Sequence, residues 1–489
     1  MSRWAGVGRA LVVVAAAAAV TTAATLLPGT FRVGGAAAAS SAASASAVPV
    51  QLANVTCPGP ETEGVAGVPA VAGGSSTVHA ATAPAEALAG LVSTSGEGEL
   101  SVRGMPADTP LASSTARGAS VTAPLHGAST AEVTGTGSLA PGVAAMQTWL
   151  GKDGDDRGLV TAVCPPARAD VWLLGGGGDS TRRERLVVAN PGANTVTIDV
   201  QVYGDKGPVA SVNGSRVTVP AHGRVGLLVD ALAAGEKTPV VHIRASGGVV
   251  TAVLEDSWIE GAVGRGRDDA AAAEGPATEQ VVPAAYVDGP ARLRVLVPGP
   301  AEAVVQVRVL STQGAQALPG DGVVRVPGGS VREVDLGSLA PGGYAVQVGS
   351  DQPLVAAVLA ERRPPGNGSS DLAWVSSTAP IASLAGSPLP DGAKSDLMLV
   401  GTREPSSATV LTVGGDGAIS SRTLTLDADS VASVDVTGAR SVWVRHTSGT
   451  VRAGLSLAMP DRGGPLFSLV GLNQAALSAT DVPVRQIQR

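Results

Sequence analysis

The chain has 489 residues, of which only 15% are charged, 34 basic against 41 acidic for a net charge of −7. That balance excludes a nucleic-acid binder working through bulk charge, which needs a basic face. A hydrophobic content of 44% excludes a disordered chain, and 64 Gly with 34 Pro favour short strands and turns over long helices. Aromatics are only 2%, so cores must be built from Val, Leu, Ile and Ala.

Residues 1–47 read as a signal peptide or membrane anchor followed by an Ala/Ser linker. Arg3 and Arg9 precede Ala10–Leu27, a run without charge, which is the pattern of an export signal. The run is also long enough to span a bilayer. Ala45-Ser46-Ala47 is the best cleavage candidate, although it lies far from the apolar run. The expected location is outside the cytoplasm, either extracellular or anchored to the outer face of the cytoplasmic membrane. Membrane contact is expected only through this segment.

Residues 48–170 form an N-terminal region of weak strands, with short apolar runs at Val50–Leu52, Leu100–Arg103 and Ala131–Thr134. The region is flanked by Cys57 and Cys164. In an exported chain an even pair reads as a disulfide. Closing a loop of that length removes unfolded-state entropy worth roughly 4–5 kcal/mol in the simplest treatment.

Farther on, the chain repeats. Leu186, Leu293 and Leu397 open three similar units and stand 107 and 104 residues apart, a domain-sized period. Within each unit the strands alternate. In the first, Ile198, Val200 and Val202 are expected on one face, and Asp199 and Gln201 on the other. We therefore expect an all-β fold of tandem antiparallel Ig-like β-sandwich repeats at 171–275, 276–388 and 389–475, with a tail at 476–489. A propeller with two blades per unit is the alternative architecture.

Cys57-Pro58-Gly59-Pro60, then Cys164-Pro165-Pro166 leading into Val171–Gly176 and Leu186–Pro191, resembles an actinobacterial family of exported proteins of unknown function (domain of unknown function 5719). The similarity spans most of the chain after Val48. The same order also resembles bacterial extracellular β-sandwich repeats. The second and third units depart from it, with Val297-Pro298-Gly299 and Val400-Gly401-Thr402 where the first has Asn190-Pro191. The resemblance implies an envelope-associated protein and carries no catalytic residues.

Chemical motifs are sparse. Gly178-Asp179-Ser180-Thr181 echoes an esterase nucleophile block, but the only late histidine, His446, has no acid three residues before it, so a polar turn is expected. Gly175–Gly178 opens no helix, which disfavours a phosphate loop. Asp153, Asp155 and Asp156 offer calcium-type oxygens without the late glutamate of an EF-hand, and read as a solvated turn. Glu255, Asp256 and Glu260 near Trp258 read as a charged linker edge rather than a glycosidase pair. His79, His126, His222, His242 and His446 are scattered, so no metal and no cofactor is expected. Sequons at Asn54, Asn213 and Asn367 are weak signals.

Trp172, Trp258 and Trp374 recur at unit boundaries, either sealing a sandwich against its linker or forming a platform for sugar rings. The expected function is a non-catalytic envelope scaffold whose partner is envelope glycan or another exported protein. A dedicated carbohydrate-binding protein is the alternative, and a hydrolase the third reading.

Overall fold

Alternating valines set the strands. In Val196–Gly204 every second residue from Val196 to Val202 is buried, with Asp199 exposed between Ile198 and Val200. β-Branched side chains suit such a pleated, half-buried surface. The computed structural model describes residues 47–480 apart from 62–70, 72–73, 128, 153, 155, 178–180, 262, 317, 319–321, 337–338, 364–369, 463 and 465. The leader with Ala45 and Ser46, the Gly178-Asp179-Ser180 block, Asp153, Asp155, Asn367 and the end of the tail lie outside the described residues.

After β1 (Ala47–Pro49), a first sandwich comprises β2 (Leu52–Cys57), β3 (Ser75–Thr82), β4 (Gly98–Met105), β5 (Thr109–Ser114), β6 (Ser120–Leu125), β7 (Thr130–Gly137), β8 (Val143–Gly151) and β9 (Gly158–Val163). Its sheets run β2-β7-β4-β5 and β6-β3-β8-β9. The region read as weakly patterned is thus a complete sandwich with its own core, including Val78, Leu100, Val102 and Val133.

The second sandwich has β10 (Asp170–Leu174), β11 (Arg182–Ala189), β12 (Val196–Gly204), β13 (Gly207–Val209), β14 (Val217–Val219), β15 (Arg224–Leu228), β16 (Val240–Ser246), β17 (Thr251–Glu260) and β18 (Val263–Ala271). Its sheets run β10-β16-β12-β13, with β14 also on β12, and β15-β11-β17-β18.

The third has β19 (Ala277–Val287), β20 (Ala291–Leu296), β21 (Ala303–Ser311), β22 (Gly314–Gln316), β23 (Val323–Val326), β24 (Val331–Asp335), β25 (Gly342–Arg362) and β26 (Asp371–Ser376). The long β25 runs through both of its sheets, pairing with β19 and β21 in one and with β20 and β26 in the other.

The fourth has β27 (Leu384–Pro388), β28 (Lys394–Gly401), β29 (Ser406–Gly414), β30 (Ile419–Leu426), β31 (Ser430–Asp435), β32 (Ala439–Ser448), β33 (Val451–Met459) and β34 (Leu466–Gly471), before a final β35 (Ser478–Thr480). Its sheets run β27-β32-β29-β30 and β31-β28-β33-β34.

Among the described residues there are therefore four sandwiches, and the strand order is the same in all four. The N-terminal region is one of the four, with the same order as the sandwiches that follow it. Asn190 explains one of the turns: its amide donates to the carbonyls of Asn194, Val219 and Pro220, while its oxygen accepts from Gly192 N. Where that Asn is replaced, other groups anchor the turn. Gly329 N donates to Val297 O in the third sandwich, and Arg403 N to Asp429 Oδ1 in the fourth.

Val48–Ala479 form one compact unit, and the sandwiches within it close into a ring. Leu296, Val355, Ala357 and Leu359 of the third sandwich join the core of the second. Met398 and Val431 of the fourth meet Val281, Ala284 and Leu310 of the third. Leu411 and Trp443 of the fourth pack on Ala81 and Leu88 of the first. Arg224 of the second donates to the carbonyls of Pro58, Gly59 and Pro60, completing the circuit back to the first. Val50 N donates to Leu477 O at 3.1 Å, so the two ends of the unit meet. The sheets thus follow one another round an axis as propeller blades do, although each pair is a sandwich.

Candidate functional site

The last strands of the four sandwiches, β9, β18, β26 and β34, come together at the axis. They approach too closely for a side chain at two positions. A Cβ on Gly158 would stand 2.8 Å from Arg267 O, and one on Gly266, whose φ is +126°, would stand 2.4 Å from Leu372 N. Glycine is what permits this contact.

Polar side chains join these strands. Asp371 Oδ2 on β26 accepts Leu159 N of β9 at 3.2 Å and Phe467 N of β34 at 2.9 Å, while its Oδ1 accepts Leu372 N at 3.0 Å. Asp268 on β18 accepts Trp374 N of β26 at 2.6 Å and the Ser468 hydroxyl of β34 at 3.4 Å. Ser468 Oγ in turn accepts Thr161 N of β9 at 3.1 Å. Five of the six pairings among these strands are thus bridged by hydrogen bonds, β9 and β18 meeting instead where Gly158 approaches Arg267, and both acids are fully buried.

A charged layer surrounds this junction. Glu255 pairs with Arg267 at 3.3 Å and accepts Glu61 N. Asp256 pairs with Arg182 and accepts Trp374 Nε1 at 2.8 Å. Asp269 accepts the Gln147 amide at 3.0 Å. Arg267 lies 4.6 Å from the Trp149 ring centroid, a cation–π geometry. Arg157 pairs with Asp461 at 3.1 Å and donates to Ser370 O.

Burial disfavours the charged form of these acids. It pushes Asp371 up to about 8 against the pull of its backbone donors, and raises Asp268 and Asp269. Glu184 rises to about 7 through burial and then the neighbouring Asp256. Glu255 also rises to about 7, through burial, against the opposing pull of Arg267.

Several residues singled out in the sequence are placed by this arrangement. Cys57 and Cys164 form a disulfide with Cα atoms 4.6 Å apart. Trp172 and Trp374 are buried and offer no open ring face. Trp172 stacks on His242 with centroids 3.7 Å apart, and Arg294 covers Trp374 at 4.7 Å. Trp258 is half-buried, with Arg182 at 4.5 Å and Arg363 at 5.4 Å from its ring. All three seal packing rather than forming a common platform.

Glu255 and Asp256 were expected at a charged linker edge; instead they sit on β17 inside the ring, because Arg267 and Arg182 compensate their burial. Glu260 is exposed and pairs with Arg265. Asp156 does not belong to a solvated turn: it is buried, accepts from Ser257 Oγ at 3.1 Å and lies 3.8 Å from Arg183. His446 Nε2 sits 2.7 Å from Gly449 O. Among the described residues no group of His, Cys, Asp and Glu has metal-site geometry.

The sequence reading missed Asp268, Asp371 and Ser468. The run Arg265-Gly266-Arg267-Asp268-Asp269 was a usable signal, because it follows a Trp-bearing strand and leads straight into Ala270–Ala273.

Fold and junction together define a closed all-β ring of sandwiches held by a buried polar axis. The chain belongs to the family of unknown function DUF5719, whose model matches residues 112–437. Comparison with curated proteins gives no match. One similar solved structure is that of a tetra-tandem repeat in the extending region of a large adhesion protein. It is 16% identical, covers 78% of this chain and 91% of that chain, and superposes with a TM-score of 0.10, at which the likeness carries no structural argument. Among the described residues no helix is long and apolar enough to cross a membrane.

Proposed function

We propose that the protein is an exported, non-catalytic scaffold of the cell envelope, whose rigid ring presents its outer surfaces to envelope glycan or to another exported protein. One observation carries this reading. The buried acids of the axis are taken up in strand-to-strand contacts, with Asp371 accepting from three backbone amides and Asp268 from Trp374 N and Ser468. Groups so placed hold four sandwiches in register. The Cys57–Cys164 bond suits an oxidising compartment, and the charge-poor apolar run at Ala10–Leu27 suits an export signal. An actinobacterial envelope is the setting that the sequence resemblance implies.

The test is fractionation followed by capture. Antibody against the full chain should find it in the envelope or the medium, and the purified protein should be retained by cell-wall fractions or by a defined exported partner. Recovery only from the cytoplasm, with both cysteines reduced, would overturn the reading.

A further inference from the structure

Three of the four junctions between sandwiches are closed. Arg294 donates to the carbonyls of Gly175, Gly176 and Pro239 between the second and third. Arg224 does the same to Pro58–Pro60 between the first and second, and Trp443 fills the junction of the fourth with the first. The junction of the third with the fourth instead leaves a recess of about 460 Å³. That volume lies in the range of small-molecule sites and suits one or two sugar rings.

The chemistry of its wall restricts the ligand. Among the described residues no lysine, arginine or histidine lines the recess, which disfavours a phosphate or carboxylate. One carboxylate, Asp396, stands at the wall, one-third exposed and 3.6 Å from Lys394. Tyr286, with Arg362 5.9 Å from its ring centroid, and the buried Tyr344, whose hydroxyl donates to Ala340 O, line the recess, and Gln313 brings an amide. The side chains of Thr312, Ser433 and Ser456 line it too, polar groups that suit a ligand rich in hydroxyls. Gly342 and Gly343 keep one wall low: a Cβ on Gly343 would stand 3.0 Å from Met398 Cε.

Two tyrosines beside hydroxyls, an amide and a carboxylate suit a ligand that joins C–H groups to a rim of hydroxyls. We infer that the recess between the third and fourth sandwiches, walled by Tyr286, Asp396 and Ser433, binds a neutral saccharide. This names a ligand site within the scaffold reading and relocates sugar binding away from the tryptophans.

The experiment uses the purified full chain with cellobiose, chitobiose and mannobiose, read by isothermal titration and saturation-transfer NMR. At least one disaccharide should bind saturably with a Kd of millimolar or tighter. Ser433→Trp fills the recess from an exposed position on edge strand β31, and should weaken binding at least about tenfold, ~1.4 kcal/mol. Asp396→Asn should weaken it several-fold. Thermal midpoints of both variants should match the parent.

Three outcomes overturn the inference: no saturable binding of any disaccharide, undiminished binding by Ser433→Trp, or a capped neutral tetrapeptide that binds when the sugars do not. Retention on cell-wall fractions is measured in parallel. Retention of the parent without disaccharide binding overturns the saccharide site and leaves the scaffold reading standing. Disaccharide binding without retention on any fraction upholds the site and removes wall glycan as the scaffold's partner, leaving an exported protein.

Discussion

The hydroxyls of Thr161 and Ser468 meet at 2.7 Å across 307 residues of sequence. The contact joins the last strand of the first sandwich to the last strand of the fourth. It lies beside Asp268, which accepts from the same serine, so a single side chain on β34 touches two other sandwiches.

Removing the acceptor at the axis should be costly. Asp371→Ala strands the amides of Leu159, Phe467 and Leu372, all buried. A buried unsatisfied donor costs about 1–3 kcal/mol, so a total of roughly 3–5 kcal/mol is expected. Calorimetry should show a lower thermal midpoint. A midpoint equal to the parent's would mean the three amides find other partners.

The buried acids make stability depend on pH. Their folded pKa values lie above the ordinary carboxylate value, so the folded state holds protons that the unfolded chain has released. The stability they contribute is complete below about pH 4 and is lost as pH rises through about 7 for Glu184 and Glu255 and about 8 for Asp371. His79, buried and lowered to about 4, and His242, also lowered by burial, act oppositely, around and below their ordinary value of 6.5. Comparing about pH 7 with about pH 8.5 therefore reads mainly the acids, and a loss on the order of 2 kcal/mol is expected. Urea unfolding at the two pH values measures it, and equal midpoints would contradict the raised values.

Strand register gives a third test. On β21, Val305 is fully buried and Val304 is 40% exposed. Val305→Asp places an unpaired charge in the core of the third sandwich and should cost several kcal/mol. Val304→Asp should stay within about 1 kcal/mol. Circular dichroism melts of the two variants should differ accordingly, whereas equal melts would place the two valines on the wrong faces.

The disulfide gives the fourth. Cys57 is fully buried and Cys164 nearly so, both in the core of the first sandwich. Titration of the purified protein under denaturing, non-reducing conditions should find no free thiol. The double Ser variant should lose up to about 4–5 kcal/mol, the chain-entropy bound for a loop of this length.

Strands with one wet face were legible in the sequence. Val196–Gly204 and Ala303–Ser311 alternate because one side meets water, and their faces follow from the period. The first sandwich was read only weakly because its inner strands lack that contrast. Gly158–Val163 is buried at every residue and Val143–Gly151 at all but Leu150, so neither shows a period of two. The axis was missed for a related reason. Arg267, Asp268 and Asp269 look like a solvated linker by composition, yet all three are buried. What makes this possible is Trp149, Gln147, Trp374 and Ser468, contributed by three other sandwiches, and local sequence does not bring them together.

The ring closure at Val50 and Leu477 bears on how the chain is made. Among the described residues no last strand is covered by its own sandwich alone; β9 meets β18, β26 and β34 only after all of them have been synthesised. A chain arrested after the third sandwich would leave Thr161 without Ser468 and Asp371 without Phe467, with a cleft open to the axis. Assembly of the axis is therefore a late, single event, and contacts of such sequence separation form slowly. Until it happens the chain leaves exposed the carboxylates and strand edges that the axis later buries, the kind of surface that chaperones hold.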